Sequence, residues 1–290
     1  MTGTPIKDKT GIDWLPSPRE IDFFNKHGWL VTPKIVPDHL LDDALYGACC
    51  YYAGERDSVL PISSGYLDWK PEHGPGIRLN DYVSLQNREM QKLVHFSPIS
   101  QIASILLAVD SIRLFHDQLI CKPPYEDTMV GWHIDAAYWK TCTNPELMLT
   151  AWIPLTDCST KSGTLTVIDR SHLWPQNDWM NTFNDSDLNR LEGLINSDGE
   201  EIKKVPIEIK KGQVSYHHSR TIHGGLSNET SDERIALAVH LQAESNRHQL
   251  VKSLDGRQKL HMNDLICRTD ASGQPDYSDP DVCPCLWLGK

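Results

Sequence analysis

At Ser111 the spacing of apolar side chains changes period, and no other feature of this 290-residue chain limits its possible folds so tightly. Before that point apolar residues recur at helical intervals. After it they recur at alternate positions, in short runs rich in Thr, Val and Ile that end at Gly, Asp, Ser or Pro. Pro18-Arg19-Glu20 opens a helix that carries Ile21, Phe23 and Phe24 and closes at His27-Gly28, and Leu30-Val31 reads as a short strand. Pro37-Asp38 opens a second helix with Leu40, Leu41, Ala44, Leu45 and Ala48 at helical spacing. A loop rich in Gly, Pro and Ser runs from Pro61 to Gly76, and helical patterns return at about Met90–Phe96 and Ile99–Val109. Then Ile112, Leu114, His116, Gln118, Ile120 and Lys122 alternate with Arg113, Phe115, Asp117, Leu119 and Cys121, which predicts a long strand. Shorter strands are expected over Met148–Leu155, Gly163–Ile168, Val205–Ile209, Gln213–His217 and Ile235–Leu241. A polar insert from Trp174 to Glu200 holds one short helix around Leu188–Ile195, and the tail from Cys267 to Lys290 reads as irregular. The fold class is therefore mainly β with flanking helices, in one domain over 1–290. Its helical third covers about 18–110, its β core about 111–243, and its tail 244–290.

Charge narrows the partners. Lys and Arg total 28 against 39 Asp and Glu, a formal net charge of −11 that repels phosphate backbones and anionic lipid surfaces. Neither nucleic acid nor membrane is expected as a partner, which leaves a small-molecule substrate. Met1–Leu15 carries no apolar h-region of a secretory signal, and the longest apolar stretch, Ile102–Val109, is too short to span a bilayer. Eight cysteines without a CxxC pair, two of them adjacent at Cys49-Cys50, fit reduced thiols in a cytoplasmic protein.

The chemistry concentrates at Gly131-Trp132-His133-Ile134-Asp135. In a strand, side chains two apart share a face, so the His133 imidazole and the Asp135 carboxylate can converge on one point. A further histidine, His223, lies in Ser219-Arg220-Thr221-Ile222-His223-Gly224-Gly225. Two His and one carboxylate are the donor set of non-haem Fe(II) oxygenases, leaving positions open for co-substrate and O₂. His-x-Asp alone is weak: with 13 His in the chain, about one such tripeptide arises by chance. Arg234 adds weight. It opens the apolar run Ile235–Val239, where a charge is costly to bury unpaired, and its planar fork suits a carboxylate. An internal salt bridge with Asp or Glu is the competing role for it. Two more histidines, His217 and His218, lie within six residues of His223.

With these residues in view, the chain resembles the Fe(II)/2-oxoglutarate-dependent dioxygenases of the phytanoyl-CoA dioxygenase (PhyH-like) family. The resemblance runs in order from about Glu20 to Leu241. It takes in Phe24–Val31, Lys122-Pro123-Pro124 ahead of Trp132–Asp135, Tyr138-Trp139, Ala151–Asp157, Ser162–Leu165, Arg170-Ser171-His172, Lys211-Gly212-Gln213, His223-Gly224 with Asn228, and Arg234. It implies a double-stranded β-helix, a cupin-like jelly roll whose open end holds iron. His133, Asp135 and His223 would be the ligands and catalytic centre, and Arg234 would grip the far carboxylate of 2-oxoglutarate, with Trp152 and Gln118 beside it. His116, Tyr138 and Trp139 are candidates to touch substrate. The implied cofactors are Fe(II), 2-oxoglutarate and O₂, with ascorbate as reductant in vitro. The implied reaction is hydroxylation or a related oxidation of an aliphatic C–H, with release of succinate and CO₂. Halogenating members have a small residue where Asp135 stands, so Asp135 points to hydroxylation, desaturation or ring closure. Many members carry a hydroxyl residue two positions after the distal histidine; here that position is Gly225. The alternatives are a zinc or other metal-dependent cupin-like enzyme, in which Arg234 has no evident job, and a non-catalytic binding barrel. The loops Ser58–Tyr82 and Trp174–Asp198 and the tail after Ala243 are the expected pocket walls, with Tyr66, Trp69, Trp174 and Trp179 as further aromatic candidates.

Overall fold

Helix α1 (Pro18–His27) begins where a proline forfeits no hydrogen bond, and Ser17 N donates to Glu20 Oε2 (2.7 Å) across its first turn. It stops at Gly28, whose φ of 77° is a left-handed conformation that a side chain would strain. After strand β1 (Trp29–Val31) come α2 (Asp38–Tyr52), strand β2 (Arg78–Asp81), α3 (Arg88–Val94) and α4 (Ser97–Leu107). The Asn87 carboxamide caps α3 by accepting from the amides of Glu89 and Met90. The remaining elements are β3 (Ser111–Lys122), β4 (Val130–His133), β5 (Met148–Pro154), β6 (Leu165–Ile168), α5 (Leu188–Glu192), β7 (Lys204–Pro206), β8 (Ser215–His218), β9 (His223–Gly225), β10 (Arg234–Ala243), β11 (Val251–Lys252), β12 (Gln258–Lys259), α6 (Asn263–Ile266) and β13 (Cys285–Leu288). This is a computed structural model, and it describes residues 14–253 and 255–289. The reading of Met1–Leu15 as lacking a secretory signal falls almost wholly outside the described residues. No helix among them is long and apolar enough to cross a membrane.

Among the described residues the strands form two main antiparallel sheets and a separate two-stranded ribbon, β11-β12. The larger runs β1-β8-β5-β10-β3-β13, with β2 also paired to β3, and the smaller runs β4-β9-β6-β7. Side chains from both sheets line one cavity, which is the expected jelly-roll arrangement. On β10 the alternation is strict. Ile235, Leu237, Val239 and Leu241 pack into the main hydrophobic cluster under the helices, while Arg234, Ala238 and His240 line the cavity. Helix α4 lies across β3, β5, β10 and β13 and closes that outer face. Leu237 is fully buried there. Leu237→Ala is expected to cost about 2–5 kcal/mol, seen as a lower denaturant midpoint with an unchanged m-value.

Three expectations change. The long strand does not keep one face throughout: the register slips between His240/Leu241 and their β3 partners His116 and Leu114, leaving Phe115 as the extra residue. A bulge of this kind swaps the faces. Ile112 and Leu114 therefore join the helix-side core, whereas His116, Gln118 and Ile120 turn into the cavity. The strand expected over Val205–Ile209 stops at Pro206, which has no N–H to continue a ladder. The tail is not wholly irregular, because β13 pairs with the Ser111–Arg113 end of β3.

Candidate active site

His133 closes β4 and pairs across the smaller sheet with His223 of β9, their ring centroids 4.1 Å apart. The strand ends there, so Asp135 is not a strand residue as expected but the first residue of a 3-10 turn, Asp135–Ala137. Ile134 between them is still extended, with φ −120° and ψ 139°, so the alternation carries one residue further and the carboxylate faces the imidazoles. Asp135 Oδ1 stands 3.8 Å from His133 Nε2 and 3.5 Å from His223 Nε2. One donor atom from each residue falls within 4.8 Å of the others, all three side chains being buried. His133 Nδ1 donates to Gly131 O (2.8 Å) and His223 Nδ1 to Thr221 O (2.9 Å), an assignment that leaves both Nε2 lone pairs directed at the shared centre. Burial pushes both imidazoles below their ordinary range and so keeps them neutral, as a metal ligand must be. Burial alone would raise the Asp135 carboxyl, but His223, His217 and His240 around it hold it well below the usual carboxylate range.

The larger sheet fixes the other carboxylate oxygen. Thr150 Oγ1 of β5 donates to Asp135 Oδ2 (2.5 Å) and accepts from His240 Nδ1 of β10 (2.8 Å), while His217 Nε2 of β8 stands 3.3 Å from Oδ2. Thr150, His217 and His240 are neighbours of Asp135 to which the sequence reading gave no role, since each looks like an ordinary polar residue of a buried strand. His218, beside His217, faces the other way and bonds the Glu146 carbonyl at 3.1 Å. Thr150→Val is expected to weaken Fe(II) binding by about 10–100-fold with the fold intact, the usual cost of losing a partner that orients a ligand. Metal titration of the purified variant measures it.

The cavity of about 550 Å³ runs between the sheets. It receives residues from all three expected walls: Tyr66 and Leu67 from the first, Phe183 and Asn184 from the second, His261 and Met262 from the tail. Gly131 matters here, because a Cβ on it would collide with the Thr182 and Asp185 carbonyls. Its absence lets that segment dock on β4 and set the Phe183 ring 5.0 Å from His133. Trp69, Trp174 and Trp179, three of the aromatic candidates, are not on the cavity wall: Trp174 is in a separate core cluster and Trp69 packs on the main one.

Arg234 lies at the inner end, 4% exposed, with its Nε buried and without a hydrogen bond. Among the described residues no Asp or Glu pairs with it, and the ionisable groups around it, Cys158, Cys121 and Tyr52, are all pushed up by burial and so uncharged at neutral pH. Its guanidinium carbon lies 5.7 Å from the Trp152 ring centroid. Lys122, opposite Arg234 in the β3–β10 register, is a second buried basic residue, one to which sequence reasoning gave no role. Burial and the Arg234 charge push its amine down to about 6, and it donates to the Gly225 and Leu226 carbonyls. A Cβ on Gly225 would stand 3.6 Å from Lys122 Nζ, so the lysine approaches the space where a hydroxyl side chain is missing. The other expected residues also line the cavity. Gln118 Nε2 donates to Asp81 Oδ1 (2.8 Å), and the Tyr138 hydroxyl accepts from Phe183 N (3.0 Å). His116 stacks 4.2 Å from His240, and Trp139, 2% exposed, packs on Phe115 and His240.

Comparison with known proteins agrees with this architecture. The chain is similar to the human (Homo sapiens) peroxisomal phytanoyl-CoA dioxygenase, 24% identical over 236 residues that make up 75% of this chain and 66% of that protein. Among solved structures it resembles the non-haem alpha-ketoglutarate-dependent epimerase SnoN from nogalamycin biosynthesis, with TM-score 0.69 and 20% identity over 94% of this chain and 96% of that one. It also resembles EctD from S. alaskensis, solved with 2-oxoglutarate and 5-hydroxyectoine, with TM-score 0.63 and 20% identity over 83% of this chain and 82% of that one. At these identities the structures speak for the fold. The family itself is shown by the sequence model for "Phytanoyl-CoA dioxygenase (PhyH)", which matches residues 82–236, more than half of the chain. The chain belongs to the phytanoyl-CoA dioxygenase family.

Proposed function

We propose that the chain acts as one domain and is a non-haem Fe(II)- and 2-oxoglutarate-dependent dioxygenase that hydroxylates, or otherwise oxidises, an aliphatic C–H of a small molecule. The observation that carries this reading is Arg234: a buried guanidinium with no acid partner among the described residues, on the wall of the cavity that the His133–Asp135–His223 group also lines. A buried charge is costly without a partner, and the natural partner for this fork is a carboxylate arriving from outside. A zinc hydrolase or isomerase on the same ligands leaves that cation unused.

In the proposed site His133 Nε2, His223 Nε2 and Asp135 Oδ1 hold the metal, a mixed imidazole and carboxylate set suited to Fe(II). The bound iron, with 2-oxoglutarate and O₂, supplies the oxidising chemistry, and 2-oxoglutarate leaves as succinate and CO₂. Arg234 grips the distal carboxylate, the Lys122 amine, largely neutral at physiological pH, lies opposite it in the strand register, and Trp152 and Gln118 line the wall at its side. Thr150, itself held by His240, keeps the second Asp135 oxygen occupied, which orients Oδ1 toward the metal. The walls from His116, Tyr138 and Trp139 position substrate and limit water around the reacting carbon. A cytoplasmic placement belongs to the same proposal; five of the eight free thiols are buried. The test is succinate release from 2-oxoglutarate under Fe(II) and ascorbate. Release that depends on Fe(II) and is not supported by Zn²⁺ is expected, and its absence would remove the reading.

A further inference from the structure

Asp135 is not the sole carboxylate on the cavity wall. Asp81, at the end of β2, lines it too, on the other side of Gln118. Its Oδ1 accepts from Gln118 Nε2 (2.8 Å) and its Oδ2 from Leu67 N (3.0 Å). Both donors are uncharged, and no Lys or Arg among the described residues contributes to its surroundings. The nearest charge behind it is another acid, Asp117, capped by Ser84 N at 3.0 Å and by the Ser84 hydroxyl. Burial pushes the Asp81 carboxyl up to about 6, so at neutral pH it is mostly ionised and short of positive charge. The histidines nearby do not supply it, since burial pushes His116 and His261 well below their ordinary range. A carboxylate has about four lone-pair sites, and two neutral donors leave it under-satisfied. The walls beside it are aromatic: Tyr66 and Tyr82 meet edge-on at 6.5 Å, and Tyr82 meets His116 at 5.6 Å. Ring faces attract cations.

We infer that the substrate of this site carries a protonated amine, which docks on Asp81 beside Tyr66 and Tyr82 while the C–H to be oxidised lies over the His133–Asp135–His223 group. This rests on the dioxygenase reading and adds the substrate class. The cavity is then polarised end to end, with Arg234 for the carboxylate of 2-oxoglutarate and Asp81 for the substrate cation. Asp81 faces Gln118 on β3, which faces Ala238 on β10, two residues short of the His240 that approaches Asp135. Two strand spacings and two residue rises are on the order of 10 Å, so the reacting carbon stands several bonds from the nitrogen.

The test is calorimetry without O₂ on protein loaded with Fe(II) and 2-oxoglutarate. The probes are hexylamine and 4-phenylbutylamine, their matched alcohols, and hexanoate and 4-phenylbutyrate. At least one amine is expected to bind about tenfold or more tighter than its alcohol, with the carboxylates weaker still. In Asp81→Asn the amine-to-alcohol ratio should fall to within about twofold. Alcohols or carboxylates binding as well as the amines, no amine preference in either series, or a preference that survives in Asp81→Asn would each overturn the inference. The wild-type comparison stands by itself if the variant does not fold. Failure of wild-type protein to bind 2-oxoglutarate would instead count against the dioxygenase reading.

Discussion

Asp135→Ala is expected to cut Fe(II)-dependent succinate release by about 10³-fold or more, and His223→Ala to do the same. The site offers three donor atoms, so removing one leaves two, and the several kcal/mol of charge stabilisation a bound metal supplies goes with it. Asp135 has the larger local consequence. Its loss leaves the Thr150 hydroxyl without its acceptor and removes the one negative charge among His133, His217, His223 and His240. His223→Ala deletes a ring that lies tilted between His133 and His217, with centroids at 4.1 and 4.3 Å. Normal turnover in either variant would take that residue out of the ligand set.

Arg234→Met should separate function from stability. The KM for 2-oxoglutarate is expected to rise about 10²-fold or more, since truncating one partner of a buried, hydrogen-bonded charge pair costs 2–5 kcal/mol or more. Without ligand, the folded protein should be as stable as wild type or more stable by on the order of 1 kcal/mol, because an unpaired buried cation has been replaced by an apolar side chain of similar length. The Lys122 amine, no longer beside a second positive charge, should also titrate higher. Thermal melts and a 2-oxoglutarate saturation curve read both effects. An internal salt bridge predicts the reverse: breaking a buried pair would destabilise by about 3–5 kcal/mol.

Much of this was legible in the residues. The unbroken apolar run Ile235-Ala236-Leu237-Ala238-Val239 identified a core strand, and Arg234 stood out because it opens that run. The His-x-Asp spacing placed two candidate donors, and His223, some ninety residues downstream, completed the set by residue type; the family resemblance singled it out from His217 and His218. The bulge at Phe115 left no mark in the pattern, since the run on either side alternates equally well; only pairing with β10 shows which face each half presents. Thr150, His217 and His240 sit on three different strands, and their meeting around Asp135 is a product of sheet order, which local periodicity does not encode. Lys122 was one position of the alternating run and of Lys122-Pro123-Pro124, with nothing in the sequence to mark it as buried, yet it is fully buried. Asp81 lies on a four-residue strand with one large apolar side chain, too short for a pattern.

The most direct test is an anaerobic titration of the protein with Fe(II) and 2-oxoglutarate, followed by visible absorption. The site as described predicts a charge-transfer band that saturates at one equivalent of iron, is absent in Asp135→Ala, and needs far more 2-oxoglutarate in Arg234→Met. A band unchanged in both variants, or no band in the wild-type protein, would contradict it.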